Sequence, residues 1–140
     1  MRFIRHALFL TAMSPLFAGG FYLNVTSAPA SSDKLIASLT GCHNAEFGKL
    51  TATAEGIVNG QRRTIQLEVT PLKQPGQFEI KRQWPAEGKW IVWVKGVHPE
   101  FNLPTEALVT VHGVTIDRSA IVQTGAQRRI ETAQLEAMLR

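Results

Sequence analysis

Apolar and polar residues alternate along most of the chain after residue 48, and this pattern constrains the fold more than any other feature. In KLTATAEGIVNG, residues 49–60, Leu50, Ala52 and Ala54 fall on one face of an extended strand, because successive side chains point to opposite faces. Glycine and proline interrupt the alternation at short intervals. Short alternating segments separated by turn residues are typical of an all-β domain.

Turn residues divide this region into hairpins. Asn59-Gly60 tolerates the positive φ values of a type I′ turn and predicts a hairpin that leads into a return strand at residues 62–72. Gln74-Pro75-Gly76 predicts a second hairpin, with Phe78 and Ile80 pointing inward on the strand that follows. After a further turn at residues 85–88, KWIVWVKG is apolar on both faces, which favours a central strand.

The remaining segments complete one domain. Asp33–Thr40 predicts a first strand, residues 97–104 an irregular linker, and residues 105–122 two more strands. From Thr132, placed as the N-cap, TAQLEAMLR consists of good helix formers with an apolar stripe formed by Leu135, Met138 and Leu139. The sequence therefore predicts an immunoglobulin-like antiparallel β-sandwich of about seven strands at residues 31–140, with a short C-terminal helix from about residue 132.

The first 30 residues have the features of a secretory signal peptide. Arg2 and Arg5 form a basic head, an apolar stretch runs over residues 7–25, and Ala28-Pro29-Ala30 offers small residues for cleavage. The same stretch is 19 residues long, so an uncleaved membrane anchor is the alternative. Cleavage predicts a periplasmic or secreted domain with no membrane span.

Charge and cysteine content exclude other classes. Without Arg2 and Arg5 the chain carries 13 Lys and Arg against 11 Asp and Glu, a balance that gives no indication of nucleic-acid binding. The single cysteine cannot form an internal disulfide, so the apolar core must hold the domain together. Carboxylates such as Glu55, Glu68 and Glu79 alternate outward, as they do on solvated strand faces.

Cys42 has several interpretations, of which a small buried residue is preferred. Leu39-Thr40-Gly41-Cys42 fits a bacterial lipoprotein signal, but Asp33 and Lys34 separate it from the apolar stretch. A nucleophile is disfavoured because the side chain of His43 would diverge from that of Cys42 on a strand. The sequence predicts no cofactor. The alternative is a copper or other soft-metal site drawn from these four residues: Cys42, His43, His98 and His112.

The tryptophans supply the candidate site. Trp90 and Trp93 are three residues apart, so on a regular strand one lies in the core and the other on the outer face. An exposed Trp93 indicates either a surface covered by the C-terminal helix or a binding surface shared with His98 and Phe101. Such a surface on the apolar strand 89–95 would serve a protein partner or a second copy of the chain.

Residues 75–94 carry a family resemblance. Pro75-Gly76-Gln77-Phe78 leads into Gly88-Lys89-Trp90, a Pro-Gly-x-aromatic strand followed by a Gly-x-Trp strand. This stretch resembles the YtkA-like group of small exported immunoglobulin-like domains, and the resemblance implies a fold rather than an activity. Together these patterns lead us to expect a non-catalytic binding or accessory module of the cell envelope.

Overall fold

The structure, a computed structural model, describes residues 21–28, 33–41, 44–100, 104–113, 115–123 and 129–140. These residues form two antiparallel sheets and one short helix, which confirms the predicted all-β sandwich with a C-terminal helix. In chain order the strands are β1 (Phe21–Ser27), β2 (Lys34–Gly41), β3 (Lys49–Val58), β4 (Gln61–Gln66), β5 (Val69–Pro71), β6 (Gln77–Lys81), β7 (Lys89–Val97), β8 (Thr105–His112) and β9 (Thr115–Gln123), followed by the helix α1 (Thr132–Leu139). One sheet has the order β1-β2-β6-β5 and the other β4-β3-β7-β8-β9.

Aliphatic side chains from both sheets fill the interior. The predicted inward residues Leu50, Ala52 and Ala54 of β3 are buried, as are Val92 and Val94 opposite them on β7. The fully buried members of this core are Leu35, Ala37, Ala54, Ile80, Val92, Val94, Ala107, Val109 and Val111. Removal of this apolar surface from water is the main force that holds the two sheets together.

The hairpin at Asn59-Gly60 is confirmed, with φ values of 52° and 75° at the two turn residues. The return segment, however, does not stay in one sheet. Its first part, β4, pairs with β3 in the five-stranded sheet, and its last part, β5, pairs with β6 in the four-stranded sheet. The single predicted strand is therefore two strands. Leu67 lies at the crossing, where its side chain is buried and its N–H donates to the Ala52 carbonyl oxygen at 3.0 Å.

The apolar strand at residues 89–95 is central, as its sequence predicts. β7 is the third of five strands and pairs with β3 on one side and β8 on the other. Its Trp90 lies in the core, directly over Gly56 of β3. A Cβ atom at Gly56 would lie 2.5 Å from Trp90 Cε3, so glycine is needed for this close approach.

The first strand lies upstream of the predicted domain boundary. Residues 21–27, which the sequence assigns to the leader, form β1 and pair with β2 along its whole length. The described residues form nine strands, whereas the sequence predicts about seven. The two additional strands are β1 and the second strand that results from the division of the return segment into β4 and β5. The predicted first strand at Asp33–Thr40 corresponds to β2.

The helix begins close to its predicted start. Its N-cap is Glu131 rather than Thr132, and the N–H of Glu131 donates to Gln134 Oε1 at 3.0 Å. This contact is one half of a capping box, in which the N3 side chain accepts from the N-cap backbone. Leu135 and Leu139 of the predicted stripe are buried against the outer face of the five-stranded sheet.

Candidate functional site

The outer face of the five-stranded sheet is divided by α1 into a covered half and an open half. A second apolar cluster lies beneath the helix, with Trp93 and Met138 packed at its margin. Its buried members are Ile91, Leu108, Ile130, Leu135 and Leu139. The helix covers Ile91 and Leu108 of this face, whereas Trp93 stays partly exposed at the margin of the cluster.

Trp93 forms the floor of the open half. Two cavities of about 370 Å³ and 460 Å³ share Thr51, Trp93 and Lys95 in their linings. The first extends over β3 and β4 toward Gln66, and the second over β8 toward the start of α1 at Thr132. We call the continuous depression formed by these two cavities the Trp93 groove.

Strand register explains why these side chains lie together. Thr53 of β3, Trp93 of β7 and Leu108 of β8 are aligned across the sheet, and Gln66 of β4 continues the same row. The next row on the same face contains Thr51, Lys95 and Glu106. Aligned residues on adjacent antiparallel strands have Cβ atoms about 5 Å apart, so the two rows make one connected surface.

A buried carboxylate anchors one wall of the groove. Glu106 is 3% exposed, accepts a hydrogen bond from the N–H of Ile130 and lies 3.6 Å from Lys95 Nζ. Lys95 Nζ also lies 3.9 Å from the centroid of the Trp93 ring, within the range of a cation–π interaction. Glu106 thus joins the segment that precedes α1 to the lysine above the tryptophan.

A second buried carboxylate anchors the opposite wall. Glu55 is 4% exposed, and its Oε2 accepts from Thr64 Oγ1 at 2.7 Å and from Arg62 Nε at 3.1 Å. Arg62 also pairs with Glu136 of α1. The strand alternation predicts a solvated Glu55 because the residue points outward. It does point outward, but Arg62 and Thr64 of β4 hydrogen-bond to it, and Arg62 is paired in turn with α1, which the strand period does not reveal.

The indole N–H of Trp93 is buried and has no hydrogen-bond partner among the described residues. A buried donor without an acceptor costs about 1–3 kcal/mol relative to a paired one. The groove therefore holds an aromatic ring with an unused donor, threonine hydroxyls, an amide at Gln66 and charges of both signs. These groups suit recognition of an amphipathic polar chain, such as a peptide, by contact and hydrogen bonding.

Of the three residues predicted to form the binding surface, the structure describes Trp93 and His98, and it places only Trp93 at the surface. His98 is buried, with its ring edge-to-face against Phe21 at 5.3 Å between centroids. Its Nε2 lies 3.1 Å from the Asn44 carbonyl oxygen, and its Nδ1 accepts from the N–H of Glu100 at 3.2 Å. These contacts make His98 part of the packing beyond the end of β7, so its inclusion in an exposed surface is corrected. Phe101 lies outside the described residues.

The candidate metal ligands are placed as follows. His98 follows the last residue of β7, whereas His112 pairs with Lys89, the first residue of that strand. At about 3.3 Å per residue, the nine steps from residue 89 to residue 98 place the two histidine backbones roughly 30 Å apart, too far for both side chains to bind one metal ion. Cys42 and His43 lie outside the described residues. Within the described ranges, no three His, Cys, Asp or Glu side chains form a group that could hold a metal ion.

Several residues of the groove carry no signal in the sequence. Lys95 stands near the end of a strand that is otherwise apolar on both faces, and Glu106 takes an outward position of an alternating strand, which is typical of solvated surface. Only the pairing of β7 with β8, between segments separated by a linker, places them side by side. The alternation predicts that Thr51 faces outward on β3, but its position beside Trp93 depends on the pairing of β3 with β7.

No family model, no curated protein and no solved structure matches this chain. The resemblance of residues 75–94 to YtkA-like domains therefore stays a prediction. In the part of the chain that the structure describes, no helix is both long enough and apolar enough to cross a bilayer.

Proposed function

We propose that this protein is an exported, non-catalytic binding module of the cell envelope, and that the Trp93 groove receives an extended segment of a protein partner. The observation that carries the proposal is the position of Trp93. It lies on the central strand of the sheet, remains partly exposed where α1 leaves the face open, and forms the floor of both cavities. Tryptophan at the centre of such a depression is the residue type that most often dominates binding energy in protein interfaces.

The form of the groove favours an inserted segment over a second copy of the same chain. α1 occupies one half of the sheet face, so the remaining surface is concave rather than flat. A two-fold dimer through this patch would place two concave surfaces opposite each other, with poor contact at the centre. An extended peptide, in contrast, can lay alternate side chains along the groove and offer carbonyl groups to its polar rim.

The polar rim supports the same occupant. Thr51, Thr53 and Gln66 provide donors and acceptors along one side, and Arg129 and Thr132 lie along the other. The N–H of Trp93 has no acceptor among the described residues and is a further donor for a carbonyl oxygen that reaches it. A peptide backbone carries both hydrogen-bonding groups at every residue and can satisfy such a rim.

We propose an immunoglobulin-like type for the sandwich. The order β1-β2-β6-β5 corresponds to strands A-B-E-D of that fold, and β4-β3-β7-β8 corresponds to C′-C-F-G. β9 is then an added strand at the G edge, and α1 is an addition that packs on the outer face of this sheet. Under this correspondence the Trp93 groove lies on the outer face of the C-F-G sheet, away from the interior.

Export rests on the N-terminal sequence. Arg2 and Arg5 precede an apolar stretch, and small residues follow it, as in a signal peptide recognised by the secretion machinery. We propose a periplasmic or secreted location. Expression of the full chain in a bacterial host, followed by separation of periplasm, membrane and cytoplasm, tests this. Retention in the cytoplasm as an unprocessed chain would contradict it.

A displayed library of random linear peptides, selected on the purified protein, tests the groove itself. We expect recovered peptides to bind with micromolar affinity, and Trp93→Glu to weaken binding at least tenfold. Tyr22→Glu is the matched control, because Tyr22 is an aromatic side chain that is 53% exposed on the other sheet, and it should leave affinity unchanged.

A second variant is needed because Trp93 also packs at the margin of the cluster beneath α1, so Trp93→Glu could weaken binding by disturbing the fold. Thr51→Arg fills the groove from an exposed position without altering the tryptophan, and it should weaken binding to a similar extent. Circular dichroism establishes that each variant is folded. Peptides that bind equally well to folded Trp93→Glu and Thr51→Arg would place the contact elsewhere, and a dimer in light scattering that Thr51→Arg dissolves would identify a second copy as the occupant.

A further inference from the structure

β1 is an integral strand of the sandwich. Each residue from Phe21 to Ser27 pairs with β2, in a register that runs from Phe21 opposite Gly41 to Ser27 opposite Leu35. Phe21, Leu23 and Val25 point inward and are 3%, 5% and 2% exposed, whereas the residues between them are exposed. This is the alternation of a strand with one face in the core.

Cleavage after Ala30, the boundary that the sequence suggests, would remove this strand. Three apolar side chains would leave the core, and Phe21 would be lost from its contact with the buried His98 ring. β2 would become an edge strand with a row of unpaired backbone groups. The core side chains that pack against β1 would be exposed to water. An exported domain that lacks internal disulfides depends on its core for stability and tolerates such a loss poorly.

The sequence offers a second cleavage point immediately before β1. In Ala18-Gly19-Gly20, as in Ala28-Pro29-Ala30, the third and the first residues before the bond to be cleaved are small. The apolar stretch before it, residues 7–17, is 11 residues long and agrees with the 7–15 residues of a typical signal peptide. The longer stretch to residue 25 exceeds that range because it includes β1.

We infer that a signal peptidase processes this chain at the Gly20–Phe21 bond, so that the mature protein begins with β1. The inference rests on the proposed export. Water is the co-substrate: hydrolysis breaks the amide C–N bond and leaves a carboxyl group on Gly20 and an amino group on Phe21. The new amino group lies on Phe21, at the end of the sheet where this residue pairs with the exposed Gly41.

Intact-mass measurement identifies the bond that is cleaved. The full chain is expressed in a bacterial host, and the protein is purified from the periplasm. We expect a mature N-terminus at Phe21. An N-terminus at Ser31 would overturn the inference while export stands. A full-length chain in the cytoplasm would overturn both the inference and the export proposal. A full-length chain in the membrane fraction would indicate the uncleaved anchor and would also overturn the inference.

Two point variants at the competing bonds sharpen this result. Gly20→Leu places a bulky side chain where the peptidase requires a small one, and should cause the precursor to accumulate. Ala30→Leu makes the same change at the other boundary and should leave processing unaffected. The opposite pattern, with Ala30→Leu blocking processing, would overturn the inference.

A third comparison reports on the fate of β1 through stability. In the full chain, Leu23→Ala should lower the melting temperature of the mature protein by several degrees, because Leu23 is a core residue. Tyr22→Ala, its exposed neighbour on the same strand, should change it little. If processing removed residues 21–30, both variants would yield the same mature protein and identical melting temperatures, which is the outcome that would refute retention of β1.

Discussion

Lys95 Nζ lies 3.9 Å from the centroid of the Trp93 ring and 3.6 Å from Glu106 Oε1. One lysine therefore joins the aromatic floor of the groove to a carboxylate that is 3% exposed. The contact also links strand β7 to β8 and, through the bond from Ile130 N–H to Glu106, to the segment that precedes α1. The Trp93 groove and the docking of the helix consequently share one set of charges.

Replacement of this lysine should reveal that coupling. Lys95→Met keeps a long apolar stem but removes the cation. We expect the free energy of unfolding to fall by about 1 kcal/mol through loss of the cation–π contact, and the ion pair with Glu106 to be lost as well. A double-mutant cycle with Glu106→Gln, measured by urea unfolding, should give a coupling energy of about 0.5–1.5 kcal/mol. Additive effects of the two substitutions would show that the pair does not interact.

The packing of Gly56 against Trp90 predicts a cost for even one added methyl group. In Gly56→Ala the new Cβ would lie 2.5 Å from Trp90 Cε3, so the indole or the strand must shift. Overpacking of this kind typically costs about 1–3 kcal/mol, and denaturant unfolding measures it.

Gly60→Asn is the matched control for Gly56→Ala. Gly60 has a positive φ of 75°, no atom lies within 4 Å of the position that a Cβ would occupy there, and asparagine tolerates that conformation. We expect a change below about 0.5 kcal/mol. A Gly56→Ala variant as stable as Gly60→Asn would mean that the Trp90 ring is not held in place.

Arg62 should contribute more to stability than its neighbour Arg63. Arg62 pairs with the buried carboxylate of Glu55 and with Glu136 of α1. Its side chain is 40% exposed, so solvent weakens these pairs, and we expect Arg62→Met to cost about 1–2 kcal/mol, less than for a fully buried pair. Arg63→Met on the same strand should change stability by less than about 0.5 kcal/mol, and equal effects would exclude the ion pairs as the cause.

Undocking of α1 should be visible at Trp93. Leu135 is fully buried in the cluster beneath the helix, so Leu135→Ala should lower the free energy of unfolding by about 2–5 kcal/mol. Met138 lies at the margin of the same cluster, and Met138→Ala should cost clearly less.

Tryptophan fluorescence distinguishes local undocking from global loss of stability. Trp84 and Trp90 are buried in the main core, so increased quenching by acrylamide in the folded Leu135→Ala variant reports on Trp93. Unchanged quenching would argue against shielding of Trp93 by the helix. The same readout in the Met138→Ala variant should show a smaller increase.

The alternation of side chains is sufficient to predict the strands because the strand period is a local property. The inward residues of β3, β6 and β8, the central position of β7 and the Asn59-Gly60 hairpin are all confirmed. Residues 62–72 show where this reasoning stops. The period continues through Leu67, but the chain changes sheets there, and the pairing partner of a strand is not encoded in its own sequence.

The site is less predictable from the sequence than the fold. Trp93 lies on the outer face as its spacing from Trp90 predicts, but His98 turns inward against Phe21, a residue that the sequence assigns to the leader. Because the sequence assigns Phe21 to the leader and does not predict β1, it gives no indication that His98 has a partner in the interior. Burial of Glu55 and Glu106 is equally hidden, because an outward position on a strand does not say which groups of other segments will pack against it.

By itself the sequence determined the two-layer β architecture, the main turns and the separation of Trp90 from Trp93, since each follows from the geometry of a few consecutive residues. Only the tertiary structure decided which strands are neighbours, which half of the outer face α1 covers, and that Thr51, Lys95 and Glu106 surround Trp93. These features depend on contacts between residues far apart in the chain. Such contacts are selected by the burial of the whole apolar surface rather than by any local pattern.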